Sequence, residues 1–150
     1  MINFRLVSEF QTIHRRPFEL ADATILNPTS ANPLIDGEFM TLNTSYQLVR
    51  GTDGCLGWAA FAERGRFDVQ AIGKVTVLYL QSYEADTKVF SSGGGGLTLG
   101  GKLQVKAGLT IDGVANRVGL ENFASGVCIG YVTRLPADNG QKLRFIQTAY

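Results

Sequence analysis

The sequence is poor in the residues that do chemistry. It has one histidine, His14, and two cysteines, Cys55 and Cys128. A nucleophilic triad needs a base, and His14 sits beside Arg15 and Arg16, whose like charge makes it a poor proton acceptor. No Gly-x-Ser-x-Gly elbow is present. The cysteines form no CxxC pair and cannot complete a zinc set with one histidine, so they read as small core hydrophobes, with a Cys55–Cys128 bond left open. Charged residues make up 18% of the chain, below the typical value of about 25%. That argues against disorder and leaves much uncharged surface for partners. The net charge of +1 lacks the basic excess of a dedicated nucleic-acid binder and permits self-association. No apolar run reaches the roughly 20 residues of a membrane span. The N-terminus lacks the basic and then apolar regions of a signal peptide, so a soluble product kept in a cytosol-like compartment is expected.

What the sequence does have is glycine, 18 of 150 residues, placed between short alternating runs. Lys74–Leu80, Thr87–Phe90, Leu97–Leu99, Lys102–Lys106, Val127–Leu135 and Lys142–Thr148 are predicted strands, and their spacing of roughly 8–12 residues is an all-β signature. The Pro136–Gly140 segment carries Asn139-Gly140, which supplies the positive φ values of a tight turn, so the last two strands are expected to pair antiparallel. Upstream, Phe18–Leu26 is a candidate strand, and Asn27–Pro33 is a loop set by its two prolines. Asp36-Gly37 and Gly51–Gly54 are turns. Phe39–Val49 is strand-like with an irregularity at Asn43–Ser45. Leu56–Ala62 is apolar around the single tryptophan, Trp58. Glu63–Arg66 turns again before Phe67–Ala71. Ala115–Ala124 makes a poor helical stripe interrupted by Gly119, and reads as mostly loop.

Residues 1–17 stand apart. Phe4, Leu6, Ser8 and Phe10 share one side at a period of two, Ile13 adds a further apolar residue, and Arg5, Arg15 and Arg16 outweigh Glu9. An extended, strand-like N-terminal arm is the expectation, with a short helix capped by Ser8 as the alternative. It is too apolar to stay solvated, so it lies either on its own domain or on a neighbouring subunit. The expected organisation is an arm over 1–17 and one compact β-barrel or β-sandwich over 18–150. At this length a single domain buries about 68–70% of its unfolded surface.

Three patterns resemble functional motifs and fall short. Gly96-Leu97-Thr98-Leu99-Gly100-Gly101-Lys102-Leu103 nearly matches a phosphate-binding loop, but Leu103 stands where a magnesium-binding hydroxyl belongs, and a strand follows instead of a helix. Glu84 and Asp86 lie two apart on one face of a strand, but a glycosidase pair also needs a cleft with aromatic platforms, and these two read as solvated charges near a strand start. Arg64, Arg66 and Phe67 form a basic-aromatic patch that Glu63 and Asp68 cancel. No enzyme activity, metal or cofactor is expected.

Asn32–Glu38, Tyr46–Gly51, Tyr83–Phe90, Gly130–Pro136 and Lys142–Ile146 follow one another in a recognisable order. Together they resemble the small capsid decoration, or cement, proteins of tailed bacteriophages, and the likeness runs from about residue 21 to 147. It is one of order and phrasing, without a diagnostic motif. The resemblance implies an all-β barrel or sandwich, jelly-roll types included, on the outer surface of the virion head after assembly in the host cytoplasm. It implies the major capsid protein and further copies of itself, as homodimer or homotrimer, as partners, with no membrane and no direct nucleic-acid contact. The family offers no catalytic residues to carry over. Its clamping role would place partner contacts on the arm, at Phe4, Arg5, Leu6, Phe10, Ile13, Arg15 and Arg16. A tail, baseplate or receptor-recognition β-module, with Trp58 and nearby tyrosines meeting a glycan, is the rival expectation.

Overall fold

A computed structural model describes residues 3–9, 15–62, 73–80, 82–92 and 96–148. Its strands are β1 (Phe4–Glu9), β2 (Arg15–Glu19), β3 (Phe39–Leu42), β4 (Leu48–Arg50), β5 (Trp58–Ala59), β6 (Lys74–Leu78), β7 (Tyr83–Thr87), β8 (Lys102–Ile111), β9 (Val114–Asn122), β10 (Gly130–Arg134) and β11 (Leu143–Gln147). Two short 3-10 turns, Ala23–Leu26 and Pro136–Asp138, are the helical segments among the described residues. The protein is all-β, as its spacing predicts, and no closed barrel is found among the described residues.

Six strands form one sheet in the order β1-β7-β11-β10-β8-β9, with every neighbouring pair antiparallel. Strands β2 and β6 pair, and β4-β3-β5 form a third sheet. Single bridges tie the small sheets together, Ala60 to Val77 and Leu20 to Leu48. One core lies against the large sheet and includes Phe4, Phe39, Leu78, Tyr83, Leu103 and Phe145. The second lies within the small sheets and includes Leu20, Met40, Leu48, Trp58, Val75 and Val77. The side-chain alternation of a strand sends Phe39 and Ala59 to the first core and their neighbours Met40 and Trp58 to the second. Strands β3 and β5 therefore form a wall between the cores.

The expected boundary at residue 17 falls inside β2, which pairs Arg15–Glu19 with β6. Phe4–Glu9 is extended, but the expected shared side holds only for Phe4 and Leu6, because a register shift between Leu6 and Ser8 sets Ser8 opposite Glu84. Strand β1 pairs with β7 of its own sheet, and Phe4 is only 2% exposed there. The ring of Phe4 meets Phe61, Tyr83 and Phe145 edge-on. Burying such a side chain stabilises the fold by roughly 1.5–3 kcal/mol, which is why this strand docks on its own domain.

Other expectations shift. The Phe18–Leu26 strand stops at Glu19, because Asp22 accepts the Thr24 N–H and caps a 3-10 turn instead. Phe39–Val49 is a hairpin, since Asn43 accepts the backbone N–H groups of Ser45 and Gln47 and reverses the chain. The Thr87–Phe90 strand lies earlier, at β7, and Leu97–Leu99 is loop leading into a turn. Glu63–Arg66 and Phe67–Ala71 lie outside the described residues.

The largest correction concerns 115–124, which is strand β9. Asp112 and Gly113, with φ of 49° and 80°, make a two-residue reversal whose positive dihedrals match the twist of paired strands. Gly119, which reads as a helix interruption, sits where a Cβ would run into the Val89 carbonyl oxygen. The missing side chain lets residues 89–91 pack along β9, where Leu120 donates its N–H to Val89 and accepts from Ser91. The last two predicted strands do pair antiparallel, as β10 and β11, but through the 3-10 turn Pro136–Asp138, with Asn139 at φ −139° and the positive φ values on Gly140 and Gln141.

Candidate interaction surface

Strand β7 turns Tyr83 and Ala85 into the core and presents Glu84 and Asp86 on the opposite face. The register sets Arg5 of β1 and Arg144 of β11 on either side of Asp86. Asp86 Oδ2 accepts from Arg5 Nη2 at 2.8 Å, and Oδ1 accepts from Arg144 Nε at 2.8 Å. Asn139 Nδ2 donates to Oδ1 at 2.7 Å. Burial pushes the Asp86 pKa up, but the bonds from Arg144, Arg5 and Asn139 outweigh it and hold the carboxyl well below the usual range. The same contact raises the pKa of Arg144. Asp86 is thus a buried tie across three strands, not the solvated charge expected, and Glu84 beside it is half-buried.

The row continues across the sheet. Arg134 of β10 stands in register with Arg144 and is exposed. In the next row Ile146 lies between Glu84 and Tyr131, and Tyr131 lies between Ile146 and Lys102. Tyr131 and Lys102 are exposed. Lys102 also stands 5.8 Å over the Phe123 ring.

A second ionic node lies between the sheets. Glu38 Oε2 accepts from Ile35 N at 3.0 Å and from Arg117 Nη1 at 3.2 Å. Its Oε1 accepts from Val118 N at 3.1 Å and Arg50 Nε at 3.2 Å. Both arginines also hold the loop before β3: Arg50 Nη2 donates to the Asn32 carbonyl at 2.7 Å, and Arg117 Nη1 donates to the Pro33 carbonyl. Nearby, Asp36 is 1% exposed, and its Oδ2 accepts the Phe4 N–H at 3.2 Å. Burial pushes the Asp36 carboxyl up to about 6, against the pull of its hydrogen bonds.

The predicted partner-contact residues are placed apart. Arg5 reaches the outward face. Phe4 points into the core, and Leu6 packs against it half-buried, so neither side chain is offered to a partner. Arg16 is exposed, with its guanidinium 5.1 Å from the Phe18 ring centroid and 5.6 Å from that of Tyr79. Arg15 holds its register position opposite Leu78. Phe10 and Ile13 lie outside the described residues, as do His14, Arg64, Arg66 and Phe67. Trp58 is 6% exposed and packs 4.8 Å from Tyr79, so it forms no open glycan platform. Cys55 and Cys128 form no disulfide with each other, and both are half-buried. The phosphate-loop look-alike is a tight turn, closed by Gly101 N to Thr98 O at 3.0 Å and followed by β8.

Sequence reasoning missed Glu38, Asp36, Arg50 and Arg117. The Asp36-Gly37 turn signal was visible, but nothing local marks a carboxylate whose partner lies 79 residues away. Comparison with family models, with curated proteins and with solved structures finds no match.

Proposed function

We propose that this chain is a virion structural protein that binds the outer surface of a tailed-phage head and cements adjacent major capsid subunits against the pressure of packaged DNA. One observation carries the reading. The segments that resemble cement proteins supply the carboxylate and one arginine of each ionic node, while Arg117, Arg5 and Asn139 come from outside them. Asn32–Glu38 contains Glu38, Tyr46–Gly51 contains Arg50, Tyr83–Phe90 contains Asp86, and Lys142–Ile146 contains Arg144. Such ties join strands distant in sequence, and they suit a body that must transmit load without deforming. Weak contacts repeated over a symmetric shell add through multivalency, so no single site has to be tight. A homodimer or homotrimer of closed symmetry fits such a lattice, and the role needs no reaction centre.

The test is co-sedimentation of purified protein with heads of the parent phage stripped of it, before and after shell expansion. Saturable binding to expanded heads at a fixed ratio to the capsid protein is the expected result. A soluble oligomer that binds neither form overturns the reading.

A further inference from the structure

We propose that the outward face of the six-stranded sheet, centred on the Tyr131–Ile146 pair and flanked by Arg134, Arg144, Arg5 and Lys102, docks onto a carboxylate-bearing surface of the capsid protein. The inference rests on the function proposed above and names the face that performs it.

Three features of this face carry the argument. The first is its charge layering. Asp86 is buried beneath the row and already engaged by Arg5 and Arg144, while Arg134 and Lys102 stand exposed. Glu84 and Glu121, the other carboxylates placed on this face, are half-buried. An approaching partner therefore meets guanidinium and ammonium groups first. The second is an uncommitted charge: Arg134 lies beside Arg144 at a register irregularity of β10, and while Arg144 is bound to Asp86, Arg134 is exposed and engages no carboxylate among the described residues. Its guanidinium is therefore left for a group outside the sheet. The third is composition. Tyrosine and arginine around an apolar centre are the residues that anchor protein interfaces, and Tyr131 retains 38% of its surface here. The exposed Tyr131 and half-buried Ile146 between the cations give an apolar centre that a protein surface can cover and a polyphosphate cannot.

The test uses the full chain and expanded parent-phage heads. Arg134→Glu is compared with Lys74→Glu, which reverses an exposed charge on β6 of another sheet. Arg134→Glu is expected to weaken binding at least about tenfold, while Lys74→Glu changes it by less than about twofold. The melting temperature of Arg134→Glu stays level or rises, because a like-charge pair becomes an opposite one. Tyr131→Ser removes the apolar half and is expected to weaken binding without altering its dependence on salt. Wild-type binding that both face variants retain overturns the docking face and leaves the cement reading standing. Wild-type failure to bind heads overturns both. Binding to duplex DNA in place of heads, lost in Arg134→Glu, assigns the face to nucleic acid and overturns the proposal.

Discussion

Glu38 and Arg117 are 79 residues apart in sequence and meet at 3.2 Å with both side chains almost fully buried. Arg50 completes the group from β4. A buried ion pair is not by itself a large source of stability, because both charges are first removed from water. Breaking one is costly, because the remaining charge stays buried. Arg117→Ala is therefore expected to destabilise the protein by about 3–5 kcal/mol in urea unfolding. A loss under about 1 kcal/mol would mean that water already reaches the group.

The two strand-holding carboxylates give opposite pH dependence. Asp36 is raised from 3.8 to about 6, so the folded state holds its proton more tightly than the unfolded state does. Its contribution is full below about pH 4 and is lost as pH rises through about 6. Asp86 is depressed, so its contribution is present above about pH 4 and is lost as pH falls further. The sum of these two contributions is expected to peak at about pH 4. Asp36→Asn keeps a carbonyl oxygen for the Phe4 N–H and removes the charge, so it flattens the decline between about pH 4 and 6. The decline it removes is on the order of 2 kcal/mol. Urea midpoints measured across that range test this. An unchanged slope in the variant would assign the dependence to another group.

Gly119→Ala is a second sharp test. In an ordinary strand the change would be neutral or stabilising. Here the new methyl meets the Val89 carbonyl, and the segment that covers β9 has to move. A loss of about 1–3 kcal/mol is expected, together with faster amide exchange at Leu120 and Ser91, whose bonds join the two segments.

Phe4→Ala measures how firmly β1 belongs to its own domain. The ring is packed among three other aromatic rings, and its loss is expected to cost about 3–5 kcal/mol. Val7→Ala, on the exposed side of the same strand, is expected to stay within about 0.5 kcal/mol. Equal small effects from both would mean that β1 is undocked in solution.

What was legible in the sequence was local. The antiparallel pairing of β10 with β11 was legible from two alternating runs joined by one short turn-rich stretch, although the positive φ values fall on Gly140 and Gln141 and not on Asn139. The period of the N-terminal residues gave an extended strand but left open whose sheet it joins, because that depends on a vacancy beside β7. Strand β9 was hidden by Gly119, whose meaning lies in the approach of Val89. The ionic nodes were invisible for the same reason. Glu38 reads as one more polar residue after a turn until the fold brings Arg50 and Arg117 to it.

Phe39 and Met40 are adjacent in the chain and belong to different cores. The strand that carries them is a party wall, and neither room can be emptied without taking down a side of the other. Damage on one side of the wall is thereby shared with the far side, so the described body is expected to melt in one transition. Under the role proposed above, steady outward force would then end in whole detachment and not in gradual softening.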